Sequence, residues 1–356
     1  MDFEVNRSDL HDTRIVDPPP VELEDGQVRL RVDAFALTAN NITYAVAGDM
    51  LRYWDVFPAE DPYGRIPVWG YADVVESRHD DLEVGTRWYG YLPMSTELVV
   101  EPGRIGDGGF TDTAAHRAGL AGAYNRYVAV PSAPVDDGGP DEDHRMVLYP
   151  LFFTSFLIDD AIADSDGFGA TQVVISSASS KTALGTAFCL ARRGGVEVVG
   201  LTSPGNVDFV EGLGVYDRVV AYPDVTSLDV VPSVFVDIAG AAAVRAAVHD
   251  HLGDELRHSM TVGSTHWQAP PPVGDLRGPT PQFFFAPTQI SKRTSEWGRD
   301  ELDRRLDEAW VAYATWTDEW IRFEHGAGPE AVERVYRELL DNRADPTVGF
   351  VLTMAG

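Results

Sequence analysis

The chain has 356 residues, 44% hydrophobic and 24% charged, a composition that suits two globular domains and excludes a disordered protein. Its formal net charge is −28, and Lys181 and Lys292 are the only lysines among 28 fixed cations, so binding to nucleic acid or anionic lipid is not expected. A single cysteine, Cys189, excludes an intramolecular disulfide and a cysteine-rich zinc site.

The N-terminus lacks the basic-then-apolar order of a secretion signal. Apolar stretches such as Met146–Ile158, which contains Pro150 and Thr154, fall short of a membrane span, so the expected location is the cytoplasm. Many carboxylates with almost no lysine resemble a salt-adapted surface, although a GC-rich genome also favours arginine.

In chain order, Val28–Ala36 alternates apolar and polar residues, the period of a half-buried strand. Val68–Glu76 and Thr86–Leu92 are also β-like, punctuated by Gly85 and Pro93. Tyr127–Val130 is a further strand, followed by a loop, Pro131–Asp143, whose acids suit solubility better than calcium binding. A first domain over 1–149 is therefore expected.

The texture then changes. Gln172–Ser176, Val196–Leu201, Arg218–Ala221, Ser233–Ile238, Ser259–Val262 and Gln282–Phe285 read as six strands. Between them, Thr182–Arg193, Val207–Leu213 and Ala241–Leu252 have helical spacing, with Cys189 as a buried hydrophobe in the first. Such alternation implies a doubly wound parallel sheet with both faces covered, over 150–288. His249 and His251 fall on different faces of a helix and read as solvated. Ala269–Pro281 reads as a surface loop or a lid, Gly298–Arg322 as a long helix and Thr347–Thr353 as a closing strand, within a third segment over 289–356.

Val173–Gly185 reads VVISSASSKTALG: strand, small-residue turn, helix start. A dinucleotide diphosphate needs a tight turn, close backbone approach and N–H groups at a helix N-terminus. Ser177, Ala178, Ser179, Ser180 and Thr182 supply small side chains and hydroxyls, Lys181 a cation, and Gly185 lets the helix lie close to the sheet. No G-x-G-x-x-G is present, and small residues also make ordinary helix caps. NAD is usually held by an acid at the end of the second strand, about 20 residues past the fingerprint. Here Thr202 and Ser203 stand in that place, two hydroxyls that accept a 2′-phosphate without repulsion, or simple turn residues. NADP(H) is thus preferred to NAD(H).

This order of pieces resembles the medium-chain dehydrogenase/reductase superfamily, more specifically its zinc-free quinone-reductase and enoyl-reductase branch, and within it the DUF2855 type of uncharacterised function. The matching pieces are Val28–Gly48, Pro67–Val75, Leu82–Leu92, Leu151–Phe156, the Ser177 turn and Phe235–Gly240. The resemblance implies an α/β fold, with a GroES-like β-barrel catalytic domain completed by the C-terminal return and a Rossmann cofactor domain. It implies a cofactor cleft reached by Thr154, by Ala239 and Gly240 after the fourth strand, and by Gly263, Ser264 and Thr265 after the fifth. A homodimer or homotetramer is implied in the same way.

The departures matter as much. Trp69-Gly70-Tyr71-Ala72-Asp73 stands where the zinc-dependent branch carries Gly-His-Glu, so no metal site is expected and a carbonyl must be polarised by hydrogen-bond donors. By resemblance, Asn41 takes the family's polar position and Tyr44 or Tyr53 supplies the phenol, with Arg52 a further partner. The aromatic residues Tyr53, Trp54, Phe57, Trp69, Trp267 and Phe283–Phe285 suit an apolar substrate or ordinary core packing. The expected function is hydride transfer between NADP(H) and a small enone, quinone or carbonyl compound, without metal. The rivals are a nucleotide-binding sensor or scaffold without redox activity, and a non-redox lyase or hydrolase on the same scaffold.

Overall fold

A computed structural model of the chain describes residues 1–106, 108–130, 141–263 and 276–356. It contains two compact units: Met1–Val147 together with Ile321–Gly356, and Leu148–Trp320.

The first unit is built on antiparallel pairing. Val28–Leu37 pairs with Pro67–Ser77, which pairs with Arg87–Pro93, which pairs with Arg126–Val130. The C-terminal strand Val348–Thr353 closes onto Val28–Leu37, placing Phe350 opposite Leu37 and Leu352 opposite Phe35. A parallel neighbour, Arg322–Ala327, and the helix Pro329–Leu340 complete the return. In that helix Val332, Val335, Tyr336, Leu339 and Leu340 are buried at 3- and 4-residue spacing, one apolar stripe facing the sheet.

The second unit carries six parallel strands: Gln172–Ser176, Glu197–Thr202, Arg218–Ala221, Ser233–Asp237, Leu256–Thr261 and Gln282–Phe283. In chain order these lie side by side as 3-2-1-4-5-6, the doubly wound Rossmann arrangement that puts a switch point after the first and fourth strands. Val174, Val199, Leu201, Phe235 and Val248 form a core with almost no exposure, as a parallel sheet covered on both faces requires.

Two expectations are corrected. The return to the first unit begins at Ile321, not at residue 289. The helices Ala286–Trp297 and Arg299–Thr317 belong to the second unit because they anchor on the helix Tyr149–Asp164. Buried Arg293 pairs with Asp160 at 2.6 Å, and the Phe152 and Tyr313 rings stack at 4.4 Å. His249, expected to be solvated, is fully buried. Its Nδ1 lies 2.7 Å from the Arg277 carbonyl, which can only accept, so Nδ1 donates and Nε2 accepts from Ser259 Oγ at 2.9 Å. His251 Nε2 lies 2.8 Å from the Leu228 carbonyl. Helical spacing separated the two rings correctly but could not show that both faces are covered.

Among the described residues no helix is long and apolar enough to cross a membrane.

Candidate functional site

In the second unit, the first strand ends at Ser176 and the helix Lys181–Arg193 begins five residues later. The turn between them holds a tight bend without glycine: Ser177 has φ 55°, a left-handed conformation that costs a side-chain-bearing residue about 1–2 kcal/mol. Ser180 caps the helix, its Oγ accepting from the Ala183 N–H at 3.3 Å. Arg192 and Arg193 occupy the last turn, where cations favour the helix dipole, and Gly194-Gly195 end it. Ser179, Ser180, Lys181 and Thr182 are half-buried, while Ser177 and Ala178 are buried.

Two glycines set how closely this turn is approached. A Cβ on Gly185 would lie 2.7 Å from Ser155 Oγ, so only glycine lets the two helices meet there. A Cβ on Gly200, in the second strand, would lie 2.9 Å from the Ala178 Cβ. This shape and the hydroxyl-rich helix start suit a diphosphate.

Part of the turn's backbone is already engaged. The Ser177 N–H donates to Tyr222 Oη at 3.0 Å, the Ala178 N–H to the Leu201 carbonyl at 3.0 Å, and the Ser180 N–H to the Ser177 carbonyl at 2.7 Å. Burial pushes the Tyr222 phenol up to about 12, against the opposing pull of the Ser177 N–H. Asn206 Nδ2 donates to Ser179 Oγ at 3.0 Å, tying the turn to the loop after the second strand, where Thr202 is buried and Ser203 half-buried. Tyr216 Oη donates to the Ala178 carbonyl at 3.1 Å.

The turn after the fourth strand is tied to the first by a buried clamp. Ser176 Oγ donates to Asp237 Oδ1 at 2.8 Å and accepts from the N–H groups of Ile238 and Ala239, each at 2.9 Å. Asp237 Oδ1 also accepts from the Gly240 N–H at 3.0 Å, and Oδ2 is held by two nitrogens of Arg245 at 2.7 Å. Ser176 and Asp237 have no exposed surface. Ala239 and Gly240 follow the fourth strand, with their amides turned into the clamp. Gly263 lies close to the Ile238 carbonyl, 3.1 Å from where its Cβ would be. Ser264, Thr265 and Trp267 lie outside the described residues.

Thr154 sits on the helix Tyr149–Asp164, where its hydroxyl donates to the Pro150 carbonyl at 3.2 Å. Its neighbour Ser155 makes the contact with the helix Lys181–Arg193, donating to the Thr182 carbonyl at 2.7 Å.

In the first unit, Asn41 is fully engaged. Its Oδ1 accepts from the Thr38 N–H at 2.7 Å, one half of a capping box at the start of the helix Ala39–Val46, and its Nδ2 donates to the Pro67 carbonyl at 2.8 Å. This makes Asn41 a brace between helix and strand rather than a ligand-binding group. Tyr44 and Tyr53 are both buried, their ring centroids 4.5 Å apart. Tyr53 Oη shares a hydrogen bond with Tyr124 Oη at 2.9 Å. Arg52 has φ 62° and pairs with Asp55 at 2.8 Å on the surface.

Sequence reasoning missed Ser176, Asp237, Arg245, Tyr222 and Asn206. One signal was available: Asp237 directly follows the buried apolar run Val234–Val236, and a carboxylate there must find partners. Among the described residues no cluster of His, Cys, Asp or Glu could hold a metal ion.

The chain is similar in fold to several solved structures. CurA from Vibrio vulnificus in complex with NADPH matches with a TM-score of 0.61 and 14% identity over 97% of this chain and 94% of that one. YhdH from E. coli K-12 with bound NADPH matches with a TM-score of 0.58 and 14% identity over 99% and 100%. Etr1p in a complex with NADP and crotonyl-CoA matches with a TM-score of 0.59 and 11% identity over 99% and 98%. These likenesses establish the fold, a GroES-like unit with a Rossmann unit as in the medium-chain dehydrogenase/reductases. A comparison with curated proteins found no match by sequence. A family model described as a protein of unknown function, DUF2855, matches residues 35–345, and the chain belongs to that family.

Proposed function

We propose that the protein is an NADP(H)-dependent oxidoreductase that moves a hydride to or from a small enone, quinone or carbonyl compound without a metal. The observation that carries this reading is the serine-lined turn at the switch point of a doubly wound sheet, capped by Ser180 and closely approached through Gly200. Ser179, Ser180, Lys181 and Thr182 would hold the diphosphate, and Thr202 and Ser203 the adenosine side, with no carboxylate at the strand end to repel a 2′-phosphate. The bound cofactor supplies or accepts the hydride. The clamp of Ser176, Asp237 and Arg245 keeps the two switch-point turns in register, and Tyr44 or Tyr53 offers a phenolic proton to the substrate oxygen. Solved neighbours in complex with NADPH or NADP support the choice of cofactor. The absence of a Gly-His-Glu stretch and the single cysteine support metal independence.

Fluorescence titration with NADPH and NADH, followed by NADPH consumption with enones, quinones and aldehydes, tests the reading. The expected outcome is saturable binding, tighter for NADPH, and turnover of at least one compound class. No saturable signal with either nucleotide overturns it. A second reading, a nucleotide-binding sensor without redox activity, draws support from the turn amides of Ser177, Ala178 and Ser180, which already have partners inside the protein. Binding without turnover across the panel selects it.

A further inference from the structure

The serine-lined turn of the second unit makes a bend that glycine ordinarily makes. In a dinucleotide fingerprint the first glycine supplies the tight turn and the second lets the backbone approach the ligand, because glycine enters the left-handed region freely. Here Ser177 holds φ 55° with a side chain attached, and no residue of Ser177–Thr182 is glycine. A serine left to itself rarely adopts that conformation, so groups outside the turn must keep it there.

Two phenols are in place to do so. Tyr216 and Tyr222 flank the third strand, Arg218–Ala221, which is separated from the first by the second. Tyr222 Oη accepts from the Ser177 N–H at 3.0 Å and holds the peptide group before the left-handed residue. The next peptide group is held by the Ala178 N–H, which donates to the Leu201 carbonyl at 3.0 Å. Tyr216 Oη then donates to the Ala178 carbonyl at 3.1 Å and holds the third. Three successive peptide groups across Ser177 and Ala178 are thus pinned by the second and third strands. Gly200 opens the way for Tyr216: a Cβ there would lie 2.9 Å from the Ala178 Cβ and 3.1 Å from the Tyr216 ring. The Tyr222 ring packs against the core of the sheet, which sets the place of its hydroxyl independently of the turn. Burial raises the pKa of both phenols, so both keep their protons at neutral pH. The pins take none of the N–H groups of Ser179, Lys181 or Thr182.

We propose that Tyr216 and Tyr222 are positioning residues for the dinucleotide, a brace whose hydroxyls give the Ser177–Ala178 bend the shape that glycines give elsewhere. The role rests on the NADP(H) reading for its ligand but not for the brace itself. With the bend held, the amides of Ser179, Lys181 and Thr182 meet the diphosphate without prior rearrangement. With a pin removed, Ser177 returns to its ordinary conformations, and apparent affinity falls with the fraction of molecules still competent to bind. Neither phenol needs to touch the nucleotide.

The test uses Tyr216→Phe and Tyr222→Phe in the full chain, each alone and combined with Ser177→Gly. Phenylalanine keeps the ring and its packing, and glycine adopts the bend without a brace. NADPH affinity is measured by fluorescence titration, and amide hydrogen exchange across residues 176–184 by mass spectrometry without nucleotide. Each Phe variant is expected to weaken NADPH binding about tenfold and to speed exchange in the turn about tenfold, the equivalent of one hydrogen bond. In the Ser177→Gly background the same substitutions should change either quantity by less than about threefold. A loss that persists undiminished beside Ser177→Gly overturns the brace, because it marks a phenol that contacts nucleotide directly or a general loss of stability. Unchanged exchange in both Phe variants overturns it as well. NADPH binding that is equal in all variants overturns the positioning role alone. Glycine-rescued exchange with no NADPH binding to any variant supports the brace and overturns the cofactor reading.

Discussion

Replacing Ser176 with alanine tests the clamp that joins the two switch-point turns. The substitution is small and leaves no steric conflict, yet it removes one donated and two accepted hydrogen bonds, at 2.8, 2.9 and 2.9 Å. At a net value of about 1 kcal/mol each, the loss is about 3 kcal/mol, a large share of a domain's stability. Urea unfolding should therefore show a lower midpoint with an unchanged slope. The same variant should weaken NADPH binding about tenfold, because the Ser177 turn and the Ala239–Gly240 turn lose their common tie. Asp237→Asn should cost a similar amount. It strips Arg245 of its partner, at the lower end of the range for a broken buried pair because the Arg245 side chain keeps 17% exposure. A loss below about 1 kcal/mol in Ser176→Ala, with NADPH affinity intact, would refute the reasoning.

Three further outcomes are expected. Gly185→Ala should destabilise by about 1–2 kcal/mol in thermal or urea unfolding, since overpacking against Ser155 outweighs the helix propensity gained; in a Ser155→Gly background it should become neutral or stabilising. Stability should fall as pH drops below the ordinary histidine value of 6.5, because burial lowers the pKa of both His249 and His258 in the folded state, so the unfolded chain binds more protons there. The slope is at most about 1.4 kcal/mol per pH unit for each histidine, fades out within about one unit above that value, and should shrink in His249→Gln; an unchanged slope would show that His249 is not the group involved. With a net charge of −28, the thermal midpoint should rise from low to molar KCl as repulsion is screened, and a flat response would remove salt adaptation from consideration.

Much of the architecture is legible in the sequence because its signals are local. Gln172–Ser176 and Arg218–Ala221 stand at the limits expected, since runs of β-branched residues bounded by polar turns leave few alternatives. The helix Lys181–Arg193 is framed by a serine cap and two glycines, each acting within one turn of the chain. The strands Asp2–Asn6 and Asp9–Val16 escaped notice because their polar residues blur any alternation. Gly298–Arg322 shows the limit of a periodic pattern: the helix stops at Thr317, and Arg322 already begins the strand that pairs with Val348–Thr353.

The sequence by itself determined the class of fold, the place of the serine-lined turn and the lack of the several thiolates that a cysteine-rich metal site needs, because strand period, helix caps and residue inventory depend only on near neighbours. Tertiary structure alone decided which polar groups have partners. Ser176 and Asp237 are 61 residues apart and bond at 2.8 Å, Asn41 reaches the Pro67 carbonyl 26 residues on, and His249 is sealed by the Arg277 carbonyl 28 residues on. A hydrogen bond is a short-range contact between groups that the chain can supply from anywhere, so no local pattern announces it.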